Sequence, residues 1–188
     1  IGLDASGTTA LPNEGNGVML GPNGDLNQLG TDGNGISDAQ ERNIISGNTL
    51  CGVYIRGAQN SVAGNYIGTN ISGMAAVPNQ TYGVCIYDAI ANTIGSAGDE
   101  VGANRGRNVI SGNGWDGLQI FHAGTNDNTV AGNLIGTDAT GSVGLGRQWW
   151  GLSVALGAKG NRIGTNGDGV ADAAERNVIS GNTLCGVY

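Results

Sequence analysis

The stretch ERNIISGNTLCGVY at residues 41–54 returns as ERNVISGNTLCGVY at residues 175–188, so the second copy begins 134 residues after the first. A half-period is also visible. IGTNISGMAAVPNQTYGV begins at Ile67, IGTDATGSVGLGRQWWGL begins at Ile135, and the chain opens with the matching IGLDASGTTALPNEGNGV. The sequence is therefore an array of units of about 67 residues, at about 1–66, 67–134 and 135–188. Repeats of this length are typical of solenoids.

Each unit contains a finer rhythm of glycine and asparagine. A glycine followed by Val or Leu stands at Gly17, Gly52, Gly83, Gly117, Gly151 and Gly186. Two asparagines follow, each two residues before an aliphatic residue: Asn27, Asn60, Asn92, Asn128 and Asn161, and then Asn43, Asn65, Asn108, Asn133 and Asn177. The shortest connections sum to about 22 residues, which suits three short strands and three tight corners at ~3.3 Å per strand residue.

Aliphatic residues alternate with polar or small residues in each of these segments, which is the pattern of a strand with one buried side. The predicted inward residues next to the glycines are Val18, Leu20, Val53, Ile55, Val84, Ile86, Leu118, Ile120, Leu152 and Val154. The asparagine segments add Leu29, Val62, Ile94, Val130 and Ile163, and Ile45, Ile67, Ile110, Ile135 and Ile179. The sequence predicts an all-β, right-handed parallel β-helix of five to six coils in a single domain, with asparagine side chains stacked as amide ladders.

The residues beyond the 22 per coil fall into two alternating corner loops. One type runs 30–42, 95–107 and 164–176, and the other runs 3–16, 69–82 and 137–150. Because insertions on solenoids usually carry their function, these loops are where we look for sites.

The composition excludes some classes of function. With 37 glycines, 22 asparagines, a net charge of −7 and only eight Lys and Arg, the chain offers no basic face for nucleic acid. No apolar run approaches the ~18–20 residues of a membrane span. Because the chain starts and stops inside repeats, we expect a fragment or a processed piece of a longer protein. The three cysteines, Cys51, Cys85 and Cys185, leave the disulfide state open.

The segments NVISGN, GVYI, NTVAGNLIGTDATG and NTIGS resemble the right-handed parallel β-helix repeats of large bacterial surface and secreted proteins, which belong to the pectate-lyase-like superfold. The resemblance covers essentially the whole chain. It implies this fold and an extracellular or cell-surface location. The superfold includes polysaccharide lyases and hydrolases as well as adhesins and noncatalytic stalks, so the resemblance leaves the function open.

The loop GTDGNGISDAQE at 30–41 is similar to the twelve-residue calcium loops of EF-hand type. The resemblance implies calcium ligands at Asp32, Asn34, Asp38 and Glu41, with a turn at Gly35 and the Ile36 carbonyl. The loop GTNGDGVADAAE at 164–175 repeats the pattern with Asn166, Asp168, Asp172 and Glu175. Gly30 and Gly164 replace the usual first Asp, and the loop at 95–106 lacks most ligands. The alternative is a polar loop whose carboxylates pair with Arg42 or Arg176.

Arg56, Asp88 and His122 form a second candidate site on adjacent coils, beside the Gly-Val strands. This set breaks the repeat and could perform acid–base chemistry or bind sugar. The alternative is a solvated face that carries a His–Asp pair. Inverting hydrolysis needs two carboxylates ~6.5–9.5 Å apart, and the sequence offers Asp88 with only distant partners.

Aromatic residues form a third candidate site, because Tyr82, Trp115, Trp149 and Trp150 all precede a Gly-Val or Gly-Leu strand near one corner. Their flat apolar faces could receive sugar rings. The alternative is that they fold back over the edge of the coil.

Two functions remain open from the sequence. The first is a structural or adhesive extracellular module that associates with itself end to end, because its last segment would expose Leu184, Val187 and Tyr188. The second is a polysaccharide-binding or polysaccharide-degrading β-helix.

Overall fold

The computed structural model describes residues 1–96 and 105–188, and within them it contains fifteen short strands and no helix. The strands next to the repeated glycines are β1 (Val18–Leu20), β4 (Val53–Ile55), β7 (Val84–Tyr87), β10 (Leu118–Phe121) and β13 (Leu152–Ala155). The strands of the first asparagine series are β2 (Gln28–Gly30), β5 (Ser61–Ala63), β8 (Thr93–Gly95), β11 (Thr129–Ala131) and β14 (Arg162–Ile163). The strands of the second series are β3 (Ile44–Ile45), β6 (Tyr66–Ile67), β9 (Val109–Ile110), β12 (Leu134–Ile135) and β15 (Val178–Ile179).

The strands assemble into three parallel sheets, each of which takes one strand from every coil. The first sheet has the order β1-β4-β7-β10-β13, the second β2-β5-β8-β11-β14 and the third β3-β6-β9-β12-β15. Every third strand is therefore a neighbour, which makes five stacked coils and confirms the predicted parallel β-helix. The chain is a parallel β-helix repeat protein. Its right-handed sense stays a prediction, in line with the strong preference of parallel crossover connections for that hand.

The core is the column of aliphatic side chains that the alternation predicts. Val53, Ile55, Val62, Ile67 and their counterparts in the next two coils are completely buried and form one cluster. In the first and last coils Val18, Leu20, Leu29, Val154, Ile163 and Ile179 are only partly buried and pack against this cluster. The predicted inward set is thus confirmed. The end coils bury less because each has a neighbour on one side only.

Two asparagine ladders run through all five coils at the corners, as predicted. In the first, each Nδ2 donates to the Oδ1 of the next coil at 2.9–3.0 Å, from Asn27 through to Asn161. The second runs from Asn43 to Asn177 with distances of 2.9–3.3 Å. The same oxygens also accept backbone N–H groups, for example that of Asn60 on Asn92 Oδ1. Each corner is therefore bonded to the coils above and below it.

A third amide ladder stands at the remaining corner. Asn13, Asn48, Asn79 and Asn113 are linked by Nδ2-to-Oδ1 bonds of 2.8–3.0 Å. Gln148 replaces the next asparagine and donates to Asn182 Oδ1 at 2.7 Å. The longer side chain leaves Gln148 Oε1 and Asn182 Nδ2 buried without a hydrogen-bond partner. The ladder therefore has a local defect at the step from Asn113 to Gln148.

The loops 3–16, 69–82 and 137–150 share one conformation and stack on each other. Asp4, Asn70 and Asp138 each accept, through one side-chain oxygen, a hydroxyl and two or more backbone N–H groups of their own loop. In Asp4 and Asp138 these hydrogen bonds, first of all that from the hydroxyl, lower the carboxyl pKa. Backbone bonds of 2.9 Å from Ile71 to Gly7 and from Ala139 to Gly73 join one loop to the next.

Candidate functional site

Asp88 and His122 follow directly after β7 and β10, which pair in register. Both residues have positive φ, of 48° and 86°, where the chain turns out of the strand. Such values are uncommon outside glycine. The Nδ1 atom of His122 lies 2.8 Å from Asp88 Oδ1. The structure therefore brings these two predicted residues into direct hydrogen-bonding contact across adjacent coils.

Arg56 and Tyr87 complete this cluster. The Nη2 atom of Arg56 lies 3.9 Å from Asp88 Oδ2, and its guanidinium carbon is 5.2 Å from the centre of the Tyr87 ring. The His122 ring stacks on Tyr87 at 4.9 Å. All three side chains are more than a third exposed, so solvent screens the attraction between Arg56 and Asp88. The cluster joins one carboxylate, one imidazole and one guanidinium, which suits binding of a polar ligand better than two-carboxylate hydrolysis.

The first acidic loop brings its carboxylates together. One oxygen each of Asp32, Asp38 and Glu41 lies within 4.8 Å of the other two. The backbone wraps around them, because Asp38 Oδ1 accepts from Gly35 N at 3.0 Å and Glu41 Oε2 accepts from Asp32 N at 3.2 Å. Asn34 Oδ1 faces the backbone and accepts from Ile36 N at 2.7 Å. Three converging carboxylates are a donor set that fits calcium.

The second acidic loop has Asn166 and Asp168 where the first has Asp32 and Asn34, and its arrangement is more open. Glu175 is completely buried, and its Oε2 accepts from Asn166 N at 2.8 Å. Instead, Asp168 Oδ1 accepts from Val170 N, and Asp172 Oδ1 accepts from the Thr165 hydroxyl. Within the described residues, this loop does not form a three-carboxylate cluster comparable to the first. It therefore fits a calcium ion less well than the first loop.

The arginines that pair with these loops differ from those expected. Arg105 Nε lies 3.9 Å from Asp38 Oδ2, and Arg162 Nη1 lies 3.5 Å from Glu175 Oε1. Arg42 instead donates to the Gly64 carbonyl and lies over the Tyr66 ring, and Arg176 is exposed. The expected pairing with Arg42 or Arg176 is therefore wrong, because Arg105 reaches the first loop from another coil and Arg162 lies on β14, directly before the second loop. Most of the loop at 95–106 lies outside the described residues.

Gly30 takes the place of the first calcium ligand for a steric reason. Its φ is +99°, and a Cβ built there would collide with the carbonyl oxygen of Ala63 on the next coil. An aspartate at this position would therefore disrupt the β2–β5 pairing. The stacking of the coils explains this departure from the calcium-loop pattern.

The four aromatic residues do not form one row. Trp115 and Trp149 stack with ring centres 6.3 Å apart and planes within 10°, and they are 43% and 49% exposed. Tyr82 meets Trp115 edge to face at 5.3 Å. Trp150 turns away and stacks on Tyr188 at 4.5 Å. The structure therefore assembles a solvent-exposed aromatic row of Tyr82, Trp115 and Trp149, and Trp150 lies outside it.

Beneath this row lies a buried polar group that the sequence analysis did not select. Asp116 is 1% exposed, and its Oδ2 accepts from the Ser153 hydroxyl at 2.9 Å. Burial raises the pKa of its carboxyl, and the hydrogen bond from Ser153 opposes this in part. The sequence did contain a signal for this residue: Asp116 is a charged residue immediately before a repeated glycine, a position that Cys51 and Trp150 occupy in other coils.

The cysteines also have unequal environments. All three are free thiols, with Cys51 and Cys85 buried and Cys185 exposed. A hydrogen bond with Cys85 lowers the pKa of Cys51 to about 7, and the same bond together with burial raises the pKa of Cys85. Because Val84 and Ile86 point inward, Cys85 between them lies on the outer face of the sheet, and its burial there shows that neighbouring side chains cover this part of the face.

Comparisons with protein-family models, curated proteins and solved structures found no match to this chain. Among the described residues, no helix is long and apolar enough to cross a membrane. The function must therefore be argued from the geometry of the chain itself.

Proposed function

We propose that this chain is a rigid extracellular β-helix module that serves as a structural spacer or adhesive segment. The observation that carries the proposal is the set of amide ladders, two of which bond every coil to the next from the first to the last. Stacked loops add further bonds between coils outside the core. A chain tied in this way resists bending and local unfolding, which is what a spacer requires.

The experiment that tests the proposal combines mechanics with an activity screen. We expect single-molecule stretching of the chain to show high resistance followed by stepwise loss of coils, because each repeat contacts only its neighbours. We also expect no new reducing ends or unsaturated products when acidic and neutral polysaccharides are incubated with the protein, with or without calcium. Cleavage that disappears in the His122→Ala variant, while the circular dichroism is unchanged, would replace the spacer with an enzyme.

End-to-end association of copies belongs to the same proposal. Strands β1 and β15 stand at opposite ends of the stack, at the edges of their sheets, and open strand edges favour association with another chain. Apolar side chains are also exposed in these end coils: Leu26 is 76% exposed at the corner after β1, and Leu184 is 64% exposed after β15. We expect a concentration-dependent rise in mass in sedimentation that Leu184→Asp suppresses. A monomer at every concentration would contradict self-association.

The second candidate function is carbohydrate binding, and the observation that favours it is the exposed pair of parallel indoles at Trp115 and Trp149. Such faces bury sugar rings well. Trp149→Ala should weaken retention on immobilised polysaccharide, while Trp150→Ala, outside the row, should leave it unchanged. Equal effects of the two variants would remove the aromatic row as the binding surface. Loss of retention in a variant of Arg56, Asp88 or His122 would move the site to that cluster.

Calcium is proposed as a structural ion for the loop at 30–41 alone. Asp32, Asp38 and Glu41 would hold it, and it would neutralise their mutual repulsion. Arg105 already supplies one positive charge to Asp38, so the ion would compete with that arginine.

A further inference from the structure

A polar groove lies on the outer face of the second sheet, across β2, β5 and β8. It has a volume of about 350 Å³, within the usual ~300–1,000 Å³ of ligand sites. Its polar lining includes Gln28, Gln59, Ser61 and Thr93, with Asp32 at one side. None of these five residues belongs to the aromatic row or to the Arg56–Asp88–His122 cluster, which lie along the first sheet. The groove is therefore separate from both, and it shares only Asp32 with the acidic loop at 30–41.

The β-helix itself sets the spacing of the groups in this groove. Gln28, Ser61 and Thr93 are direct partners in the parallel ladder, so their side chains rise from the same face at the ~4.8 Å interval of neighbouring strands. The corner next to them is fixed by the amide ladder, in which Asn60 bonds to Asn92 at 3.0 Å. The backbone that carries these groups is therefore already in place before a ligand binds.

The hydrogen-bonding capacity of the groove is unused within the described part of the chain. The side chains of Gln28, Gln59, Ser61 and Thr93 make no hydrogen bond there. By contrast, the Ser111 hydroxyl at a corner is occupied and donates to the Thr137 carbonyl at 2.6 Å. The groove thus gathers two hydroxyls and two amides that are free to bond to a ligand.

The floor and the charge of the groove limit what that ligand can be. Small residues, Ala63, Ala91 and Gly95, let a ring approach the sheet closely. The Asp32 carboxylate can accept from hydroxyl groups and repels anions, and the chain as a whole carries −7. With no aromatic residue in its lining, recognition depends on hydrogen bonds.

We propose that this groove binds a neutral saccharide, whose ring hydroxyls pair with Ser61, Thr93, Gln28 and Gln59 and with the Asp32 carboxylate. The site goes beyond the spacer function and does not depend on it, since binding here requires neither stiffness nor the aromatic row.

The test is calorimetric titration, in the presence of EDTA, of the whole chain with soluble neutral oligosaccharides of gluco, xylo, manno and galacto configuration. Oligogalacturonate serves as the acidic comparator. We expect one neutral series to bind and the acidic one not to bind. The double variant Ser61→Val/Thr93→Val should weaken that binding about tenfold, because each lost hydrogen bond is worth a few-fold in affinity. Thr129→Val is the matched control, since it changes the next hydroxyl of the same column, beside but outside the groove lining.

The outcomes separate this site from the others. Equal affinity of the double variant and the native chain, preference for the acidic oligosaccharide, or no binding at millimolar concentration would each overturn the proposal. Loss of binding in Trp149→Ala with none in the double variant would assign the saccharide to the aromatic row instead. Circular dichroism of each variant checks that the fold is intact, and none of these results bears on the stretching measurement.

Discussion

Removal of one amide from the middle of a ladder is the sharpest test of what holds the coils together. In the first ladder, Asn92 is completely buried. Its Oδ1 accepts the backbone and side-chain N–H groups of Asn60 at 2.9 and 3.0 Å. Its Nδ2 donates to the carbonyls of Gly57 and Ile90 at 3.0 and 3.2 Å, and to Asn128 Oδ1 at 3.0 Å. The Asn92→Ala variant removes all of these contacts, in which four N–H groups take part: two of Asn60 and the two of Asn92 Nδ2.

The expected cost follows from this count. At about 1 kcal/mol net for each of the four N–H groups, the substitution should lower the free energy of unfolding by about 4 kcal/mol. The loss of stability is not smaller than this, because the Asn60 N–H stays buried without its acceptor. A loss of this size is a large share of the ~5–15 kcal/mol that stabilises an ordinary domain.

Asn27→Ala is the matched control, because Asn27 begins the same ladder and is exposed. Its side chain makes two hydrogen bonds, to the Asp25 carbonyl and to Asn60 Oδ1, so the expected loss is about 1 kcal/mol. Urea unfolding followed by circular dichroism measures both variants. Equal losses for Asn27→Ala and Asn92→Ala would refute the view that the ladder, rather than the aliphatic core alone, joins the coils.

Three further predictions concern single residues. Gln148→Asn should raise the melting temperature and the free energy of unfolding by about 1 kcal/mol, because the oxygen of the shorter amide can accept from Asn113 Nδ2 and complete the third ladder; an unchanged melting temperature would show that the defect costs nothing. Burial raises the pKa of Asp116, so its contribution to stability is complete below the unfolded-state pKa and is lost as pH rises through the folded-state pKa. The native chain should therefore lose stability relative to Asp116→Asn between acidic and neutral pH, and parallel urea curves at all pH values would contradict this. Calcium should raise the melting temperature and EDTA should lower it. Asp38→Ala should weaken this response, whereas the equivalent Asp172→Ala should leave it intact. A native chain whose melting temperature does not respond to calcium or EDTA would exclude the ion.

The sequence assigned many candidate site residues to particular coils, but it did not show which of their side chains are in contact. Counting from the repeated glycine places Asp88 and His122 on adjacent coils, and the structure confirms their contact. The same counting treats Trp149 and Trp150 alike, although the two rings point to different partners. Neighbouring residues of a bend can direct their side chains to opposite sides, and the periodicity of the sequence does not predict these directions.

What the sequence by itself determined is everything that repeats. The strand positions, the inward aliphatic residues and two of the three amide ladders follow from a period of two within strands and a recurring corner, because each coil can bury its apolar side only against an identical neighbour. What only the tertiary structure decided is everything that breaks the repeat. Examples are the Arg105–Asp38 pair, the buried Asp116, the step from Asn113 to Gln148 and the polar groove over β2, β5 and β8. Such contacts join residues from different coils whose relative positions are fixed only once the stack has formed, so local pattern carries no information about them.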